Sequence, residues 1–244
     1  MKSKTAHLYE KYYTNKTGWE NGTLAYHRLL DSHLNNPEFR ALEIGSGPTN
    51  VSSTMVAKRV AHLDGLDIDP RALENAALTK AYIYDGREFP MEDGLYDVIV
   101  ADYVMEHVEF PELMFTEINR VLKEGGHFIF RTPNLAHYVS LISHFTPQSF
   151  HLAVANKSRE LSEKQVDPYP TFYRCNSSSK IKHLAKAAGL EVSTLDLVEK
   201  QPAYLQFNAL AYRLGVGYER VVNATPLLKG LRSNVFCALQ KPAR

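Results

Sequence analysis

The segment YDVIVADYV, residues 96–104, is almost entirely apolar between its ends. Strands of this composition are buried on both faces, as in parallel sheets that carry helices on both sides. Similar short runs, FRALEIG, AHLDGLDID, AYIYDG and HFIFRTPN, alternate with helix-like segments, and LEVSTLDLVE and NVFCALQKP follow later. This alternation predicts an α/β chain with a doubly wound, mostly parallel, seven-stranded sheet.

Helix boundaries are predicted from capping and stop residues. Pro70 opens PRALENAAL, which predicts a helix after the second strand. PELMFTEINRVLKEGG is amphipathic and ends in Gly125 and Gly126, so we predict a helix that ends at these glycines. SSSKIKHLAKAAG begins with serines and ends in glycine, which predicts a further capped helix.

The chain shows no internal repeat or low-complexity segment, so we predict a single domain over residues 1–244. The aromatic-rich N-terminal region, about residues 1–35, is predicted to form either a helical lid or a helix packed on the sheet edge. The segments at about 135–174 and 203–225 break the alternation of strands and helices. The first is too long for a plain loop, and we predict that both are cap insertions that select the substrate.

The composition disfavours several partners. Lys+Arg is 28 and Asp+Glu is 27, so the net charge of +1 predicts no nucleic-acid partner. No run approaches the ~18 apolar residues of a membrane span, and the N-terminus lacks the apolar centre of a secretion signal. We therefore expect a cytoplasmic protein without a membrane partner. The two cysteines are too few for a disulfide framework and agree with a reducing compartment. The sequence leaves monomer and homodimer equally open.

The first predicted strand carries a carboxylate near its end, just before a glycine-bracketed turn. In ALEIGSGPTN, Glu43 lies inside the apolar run, and Gly45, Ser46 and Gly47 follow it. Ligands of open parallel sheets bind at the carboxyl ends of the strands, where glycines allow close approach to the backbone. Because a carboxylate repels phosphate, we expect the ligand to carry a positive group here.

The same turn departs from the dinucleotide fingerprint G-x-G-x-x-G, which requires glycine where Asn50 stands. Pro48 also removes one backbone donor from any phosphate cradle. Both differences weaken the interpretation as a nicotinamide-dependent enzyme.

Two more carboxylates follow the next predicted strands. Asp67, in GLDID, lies 20 positions after Gly47, where a carboxylate can accept both ribose hydroxyls of a nucleoside. Asp85, in YDGREFP, could accept a hydrogen bond from the exocyclic amine of a purine. Together with Glu43 they suit a ligand that has an ammonium, a ribose and an adenine but no pyrophosphate. S-adenosylmethionine fits this description.

In this order, LEIGSGP, GLDIDP, YDGREFP, YDVIVADYVMEHV, EINRVLKEGG and FRTPN resemble the motifs of class I S-adenosylmethionine-dependent methyltransferases. The resemblance covers about residues 38–135. Its VMEHV portion is similar to the small-molecule branch, the methyltransferase type 11-like enzymes that include those of quinone biosynthesis. The resemblance implies a Rossmann-like methyltransferase fold, S-adenosyl-L-methionine as cofactor and a small-molecule methyl acceptor.

The resemblance also implies roles for individual residues. Glu43 and Gly45 would meet the methionine amino end. Asp67 would bind the ribose, and Asp85 would bind the adenine amine. Ile68 would lie against the adenine, and Ala101 or Asp102 would face the transferred methyl. The turn departs from many family members at Thr49, where they have glycine. The implied cofactor-binding residues are Glu43, Gly45, Ser46, Gly47, Asp67, Ile68, Asp85, Gly86, Ala101 and Asp102.

Glu106-His107 is similar to the end of the Glu-x-x-Glu-His divalent-ion motif of some quinone O-methyltransferases. Tyr103 stands at the first ligand position of that motif, so we expect no metal. A histidine or tyrosine could be a general base for the acceptor, because histidine titrates near neutrality. An ordinary packing role is the alternative for each candidate. The candidates are His107, His137, His144, His151 and Tyr173.

We therefore predict methyl transfer from S-adenosylmethionine to a small molecule by in-line displacement, with a hydroxyl oxygen as the expected acceptor on general frequency. An amine or carbon acceptor and a non-catalytic S-adenosylmethionine-binding protein are alternatives, and a NAD-dependent oxidoreductase is less favoured. The N-P-P-Y or D-P-P-Y signature of enzymes that methylate nucleobase amines is absent after the fourth strand, which also disfavours a nucleic-acid substrate.

Overall fold

A computed structural model describes residues 5–14, 18–48, 51–145 and 169–243, with the side chains of 142–145 left out. The chain divides into two compact units. The larger unit comprises residues 26–133, 172–196 and 235–244, and the smaller unit comprises residues 1–25, 134–171 and 197–234.

The centre of the fold is a seven-stranded sheet. Its strands are β1 Arg40–Ile44, β2 His62–Asp67, β3 Lys80–Ile83, β4 Tyr96–Asp102, β5 Leu122–Pro133, β6 Glu191–Val198 and β7 Asn234–Gln240. Their order is β3-β2-β1-β4-β5-β7-β6, and the ladders β1–β2, β2–β3, β1–β4 and β4–β5 are parallel. The predicted α/β class and the mostly parallel sheet are confirmed.

Helices follow most of the strands. The α-helices are α1 Ala6–Tyr9, α2 Gly22–Asp31, α3 Val51–Ala57, α4 Pro111–Val121, α5 Tyr138–Phe145, α6 Ser178–Ala187 and α7 Ala209–Ala224. A π-helical turn spans Glu10–Thr14, and short 3₁₀ helices span Pro70–Glu74, Met105–His107, Ala203–Leu205 and Pro226–Leu231. Within the described ranges, none of the helices has the length and apolar character needed to cross a bilayer.

The helix predicted over PRALENAAL is wrong in type and length, because the structure has only a 3₁₀ turn there. Asp69 caps this turn by accepting the Arg71 N–H. The turn ends at Asn75, whose backbone is extended and whose side chain bonds the carbonyl oxygens of Ser46 and Gly47. The residue at which the 3₁₀ turn ends is therefore also the one that supports the glycine turn.

The helix predicted to end at two glycines ends earlier, at Val121, and β5 begins at the next residue. Both glycines lie inside β5. The Gly125 N–H donates to the Lys241 carbonyl oxygen, and the Lys241 N–H donates to that of Gly126. This pairing with a segment more than 100 residues away makes the glycines part of a strand. The predicted serine-capped helix is confirmed as α6, since Ser177 accepts the Lys180 N–H.

The segments predicted as lid and caps contribute mainly to the smaller unit. Residues 26–35, which include most of α2, are an exception because they belong to the larger unit. The N-terminal aromatics pack on α7, where Leu8 and Tyr13 form a buried cluster with Tyr212 and Val216. The two predicted arrangements, the cofactor lid and the sheet-edge helix, stay predictions. The substrate-selecting role of the caps stays a prediction.

Both cysteines are buried as free thiols. Cys175 donates to the Met105 carbonyl oxygen at 3.1 Å, and Cys237 lies inside β7. Burial raises the pKa of Cys175 to about 12 and raises that of Cys237 as well.

The core of the larger unit contains an aromatic cluster under α4. Phe115 is fully buried, and its ring centroid lies 6.1 Å from that of Phe128 and 6.4 Å from that of Phe130. We expect Phe115→Ala to lower the free energy of unfolding by about 3–5 kcal/mol, because it removes buried apolar surface and leaves a cavity.

Urea unfolding followed by circular dichroism measures this loss. Leu113→Ala, on the same helix but at a side chain that is 40% exposed, is the matched control. It should cost about 1 kcal/mol or less. Equal losses in the two variants would contradict the packing described for α4.

Candidate active site

The carboxyl ends of β1, β2 and β4 lie side by side at one edge of the sheet. Ile44 is the register partner of Leu66 in β2 and of Ala101 in β4. The residues that follow these strands are therefore neighbours in space, as the sequence analysis assumed. This edge is where ligands of open parallel sheets bind.

The glycine turn after β1 requires glycine for two reasons. Gly45 and Gly47 have φ angles of +70° and +55°, which side chains rarely adopt. A Cβ atom on Gly45 would also lie 2.3 Å from a methyl carbon of Val104. By contrast, a Cβ on Gly47 would meet no atom of the described residues within 4 Å.

The amides of both glycines are already used inside the protein. The Gly45 N–H donates to the Leu66 carbonyl oxygen at 2.8 Å, and the Gly47 N–H donates to Oδ2 of Asp67 at 2.8 Å. Phosphate-binding turns direct such amides at the ligand instead. The turn therefore lacks these donors for a pyrophosphate, which agrees with the sequence-based argument against a dinucleotide.

Asn75, which the sequence analysis missed, holds the turn from behind. Its Nδ2 lies 3.1 and 3.2 Å from the carbonyl oxygens of Ser46 and Gly47 and 3.3 Å from Oγ of Ser53. The Ser53 hydroxyl donates to Glu43 at 2.5 Å. Glu43 is only 1% exposed, so its carboxylate supports this network from within the protein. Its predicted contact with the methionine amino group stays a prediction.

Asp67 keeps capacity for a ligand although both its oxygens accept backbone hydrogen bonds. Oδ2 accepts the Gly47 N–H, and Oδ1 accepts the Asp69 N–H at 2.9 Å. A carboxylate has about four acceptor sites, so about two remain for ribose hydroxyls. The next side chain, Ile68, is 50% exposed, and a Cβ on Gly86 would lie 3.9 Å from it. An apolar surface thus adjoins an acceptor, as an adenosine requires.

Asp85 is exposed after β3 and shapes the loop that follows. Its Oδ1 accepts the N–H of Arg87 at 2.9 Å and that of Glu88 at 3.4 Å. The structure places it one strand beyond Asp67, and its predicted bond to the adenine amine stays a prediction.

Asp102, at the end of β4, forms a fork with Arg131 of β5. The Arg131 Nε and Nη2 donate to the two carboxylate oxygens at 2.5 and 2.9 Å, and the Ser52 hydroxyl donates to Oδ2 at 2.7 Å. The guanidinium lies between two tyrosine rings, with its carbon 4.8 Å from the centroid of Tyr26 and 4.6 Å from that of Tyr103. The sequence offered one signal for this pair, an arginine directly after the apolar run Phe128–Phe130.

Of the two residues predicted to face the transferred methyl, Asp102 is the more exposed, and the role of each stays a prediction. Ala101 is fully buried, and its carbonyl oxygen accepts the Tyr26 hydroxyl at 3.0 Å. Asp102 retains partial exposure. Tyr103, the next residue, has a φ angle of +57° and an exposed side chain. Non-glycine residues in this region are uncommon and cluster at functional sites.

Glu106 is a buried carboxyl group four residues after Asp102. Its Oε2 accepts the Thr132 hydroxyl at 3.0 Å, and the Thr132 oxygen accepts Nδ2 of Asn176 at 2.6 Å. Burial is the main cause that raises the pKa of Glu106 to about 7. The carboxyl is therefore partly protonated near neutral pH.

Two candidate bases lie beside Glu106. His107 is half-buried in the Met105–His107 turn. Tyr173 has a φ angle of +51°, and its N–H donates to the Glu106 carbonyl oxygen at 3.1 Å. Their roles stay predictions.

The remaining candidates are the histidines of the first predicted cap. His137 is buried in the smaller unit, with its Nε2 3.7 Å from Glu199, and burial lowers its pKa to about 4. A base with so low a pKa is neutral at pH 7 but a weak proton acceptor. The side chain of His144 and the whole of His151 lie outside the described residues.

Over the described part of the chain, no group of three or more histidine, cysteine, aspartate or glutamate side chains could hold a metal ion. Tyr103 stands where the Glu-x-x-Glu-His motif has its first metal ligand, and its ring lies against Arg131. The expectation that the enzyme uses no metal stays a prediction.

Comparison with known proteins identifies the family. Residues 20–195 match the model of a methyltransferase domain family. The chain belongs to this family. Its fold, its enzymatic activity and its cofactor, S-adenosylmethionine, are those of a class I methyltransferase.

The methyltransferase is 30% identical to a ubiquinone biosynthesis O-methyltransferase of Marinobacter nauticus over 68% of this chain and 69% of the relative. Its fold is similar to that of the cyclase SpnF, with a TM-score of 0.60 at 18% identity over 96% of this chain and 86% of the other. The geranyl diphosphate C-methyltransferase of Streptomyces coelicolor has a TM-score of 0.55 at 16% identity, over 89% and 77%.

The buried Glu106 carboxyl predicts a pH-dependent stability. Its folded-state pKa of about 7 lies above the ordinary value of 4.5. The stabilisation by the protonated form is therefore complete below about pH 4.5 and is lost as the pH rises to about 7. Glu106→Gln stays neutral and keeps an acceptor for Thr132. We subtract the free energy of unfolding of wild type from that of the variant. This difference should increase by on the order of 1–3 kcal/mol from pH 5 to pH 8.

Urea unfolding of both proteins at these two pH values measures the difference. Burial also raises the pKa of Glu199 to about 7, in wild type and in the variant alike. Only the difference in stability between the two proteins therefore reports on Glu106. Glu124→Gln, at an exposed position, should show no such gain. A pH-independent difference for Glu106→Gln would exclude the assigned effect of burial.

Proposed function

We propose that the enzyme transfers the methyl group of S-adenosylmethionine to a hydroxyl oxygen of a small molecule. The observation that carries the proposal is the edge formed by β1, β2 and β4. There, Asp67 adjoins a glycine turn in which the Gly45 and Gly47 amides are used internally, and also an exposed apolar side chain, Ile68. This combination suits an adenosine that bears a cation and lacks phosphates.

In this proposal Asp67 accepts the ribose hydroxyls, Ile68 lies along the adenine and Asp85 accepts the adenine amine. Gly45 and Ser46 line the methionine end of the site. The charge of Glu43 lies behind the turn and favours a cation in front of it, because charges inside a protein are weakly screened. This is an indirect role, since Ser53 holds the Glu43 carboxylate.

The acceptor side of the site is proposed to lie at Asp102 and Tyr103. When bound, the cofactor supplies a methyl group activated by its sulfonium, which a nucleophile takes by in-line displacement. The chain's own task is alignment. The Arg131 fork holds Asp102 in one orientation, and its guanidinium also holds the Tyr103 ring. A rigid wall of this kind fixes the acceptor relative to the methyl group.

The choice of a hydroxyl acceptor rests on the similarity to the ubiquinone biosynthesis O-methyltransferase, whose sequence matches over two thirds of both chains. A carbon acceptor is the second candidate, since a C-methyltransferase has a similar fold. An amine acceptor stays a further alternative.

Labelling identifies the acceptor and its atom. The enzyme is incubated with S-adenosylmethionine carrying a ¹³C methyl group and with a low-mass metabolite extract. We expect the label in one small molecule, with the ¹³C chemical shift of a methyl ether. A shift typical of an N-methyl or C-methyl group would overturn the hydroxyl assignment. A parallel incubation uses the unfractionated cell extract, and label found there only in protein or nucleic acid would overturn the small-molecule class.

The role of Asp67 is tested by Asp67→Asn, which keeps an oxygen for the Gly47 amide but removes the charge. We expect the affinity for S-adenosylmethionine to fall by ~1–3 kcal/mol, or about 5–150-fold, as for a lost charged hydrogen bond. Isothermal titration calorimetry with S-adenosylmethionine and S-adenosylhomocysteine measures the effect.

Asp69→Asn removes the same charge two residues away, from a side chain that caps the Pro70–Glu74 turn. It should change the affinity by roughly threefold or less. Equal losses in the two variants would place the ribose contact elsewhere.

A further inference from the structure

Helix α7 presents an apolar stripe on its outer face. Leu210, Leu214 and Val221 are 66%, 67% and 55% exposed, and Gly217 lies between the last two. At about 100° per residue, these four positions fall within an arc of about 60°. They form one continuous line along the helix.

The core of the smaller unit does not use this stripe. The core-facing side of α7 carries Tyr212 and Val216, which are buried against Leu8 and Tyr13. Beyond the helix, Leu227 extends the apolar surface and is 95% exposed. A hydrogen bond from the Tyr218 hydroxyl to the Leu231 carbonyl oxygen, at 2.5 Å, holds the following turn beside α7. We call Leu210, Leu214, Val221 and Leu227 the outer stripe.

Positive charge flanks the outer stripe. Arg213 and Arg220 are exposed and lie about two turns apart on one side of it, about 70–90° from its centre. The sequence from residue 209 to 232 contains four basic residues and one acid, Glu219. That acid is half-buried and accepts hydrogen bonds from Tyr13 and Asn223. The charge available to a partner on this face is therefore positive.

We propose that the outer stripe and its two arginines dock the enzyme on the surface of an anionic lipid bilayer. Helices with an apolar face flanked by cations lie in the bilayer interface, where the apolar side chains enter the acyl boundary. Anionic headgroups attract the flanking arginines. A second copy of this chain fits less well, because pairing two such faces would oppose arginines with no acid to pair them.

Such docking is compatible with the finding that no described helix can span a bilayer, since α7 would lie flat on the surface. It differs from the sequence-based expectation that the protein has no membrane partner. It does not depend on the identity of the methyl acceptor.

Sedimentation of the full-length protein with vesicles tests the proposal. We expect binding to phosphatidylcholine vesicles that contain phosphatidylglycerol and little binding to phosphatidylcholine alone. High salt should weaken this binding, because it screens the arginines. Equal binding to both vesicle types, or binding to neither, would overturn the proposal.

Two double variants locate the contact. Leu210→Ser with Leu214→Ser should weaken vesicle binding at least about tenfold, because less apolar surface enters the interface. Arg213→Gln with Arg220→Gln should weaken it roughly 30-fold, at about fivefold for each arginine.

Matched controls separate this contact from general effects of charge and apolar surface. Lys182→Gln with Lys186→Gln removes two exposed charges from α6, and Leu113→Ser removes an exposed leucine from α4. Neither should change vesicle binding, while circular dichroism and S-adenosylhomocysteine titration verify that every variant is folded. The proposal would be overturned if the control variants bound the vesicles as weakly as the variants of the outer stripe do. A dimer in analytical ultracentrifugation that the leucine variant abolishes would also overturn it, since the stripe would then be a subunit interface.

Discussion

The hydrogen bond from the Gly47 amide to the Asp67 carboxylate joins the ends of two neighbouring parallel strands, and the geometry of the site depends on it. It fixes the glycine turn, which Asn75 supports from the other side. It also removes an amide that a phosphate would need. One interaction therefore shapes the turn and restricts which ligands the turn can accept. Because it depends on the β1–β2 register, the site forms only when the sheet forms.

The ion pair between Asp102 and Arg131 plays a different part. The two residues are register partners of β4 and β5, so the charges face each other across the sheet. Taking such charges out of water is costly, and a buried pair is weak evidence for stability. Its benefit here is geometric. The guanidinium orients the carboxylate and stacks on two tyrosine rings, one of which belongs to a residue with a positive φ angle.

The sequence predicted those parts of the structure that depend on local pattern. Burial on both faces is visible in YDVIVADYV, and the parallel sheet follows from it. The positions of Asp67 and Asp85 at strand ends could also be predicted, because a carboxylate after an apolar run marks the boundary, and the glycine turn marks the end of the strand that carries Glu43. The sequence could not show that the Glu43 carboxylate turns toward Ser53, since that contact requires the position of α3.

The errors in the sequence analysis share one physical cause, which is pairing with distant residues. Gly125 and Gly126 look like a helix stop until Lys241 pairs with them. The packing of the N-terminal aromatics could not be predicted either, because their partner, Tyr212, lies about 200 residues later. Asn75 is an ordinary polar residue in sequence and becomes a support only when the turn folds over it. Local periodicity carries no information about these contacts.

The buried thiols have a practical consequence for spectroscopy. Cys175 and Cys237 are enclosed, and burial raises the pKa of each, so the nucleophilic thiolate is scarce at neutral pH. Maleimide and nitroxide reagents should therefore not react with the native cysteines in the folded protein. A cysteine introduced at a chosen surface position would be the one reactive thiol in the folded enzyme, and distances could be measured by dye or spin labels without first replacing the natural residues.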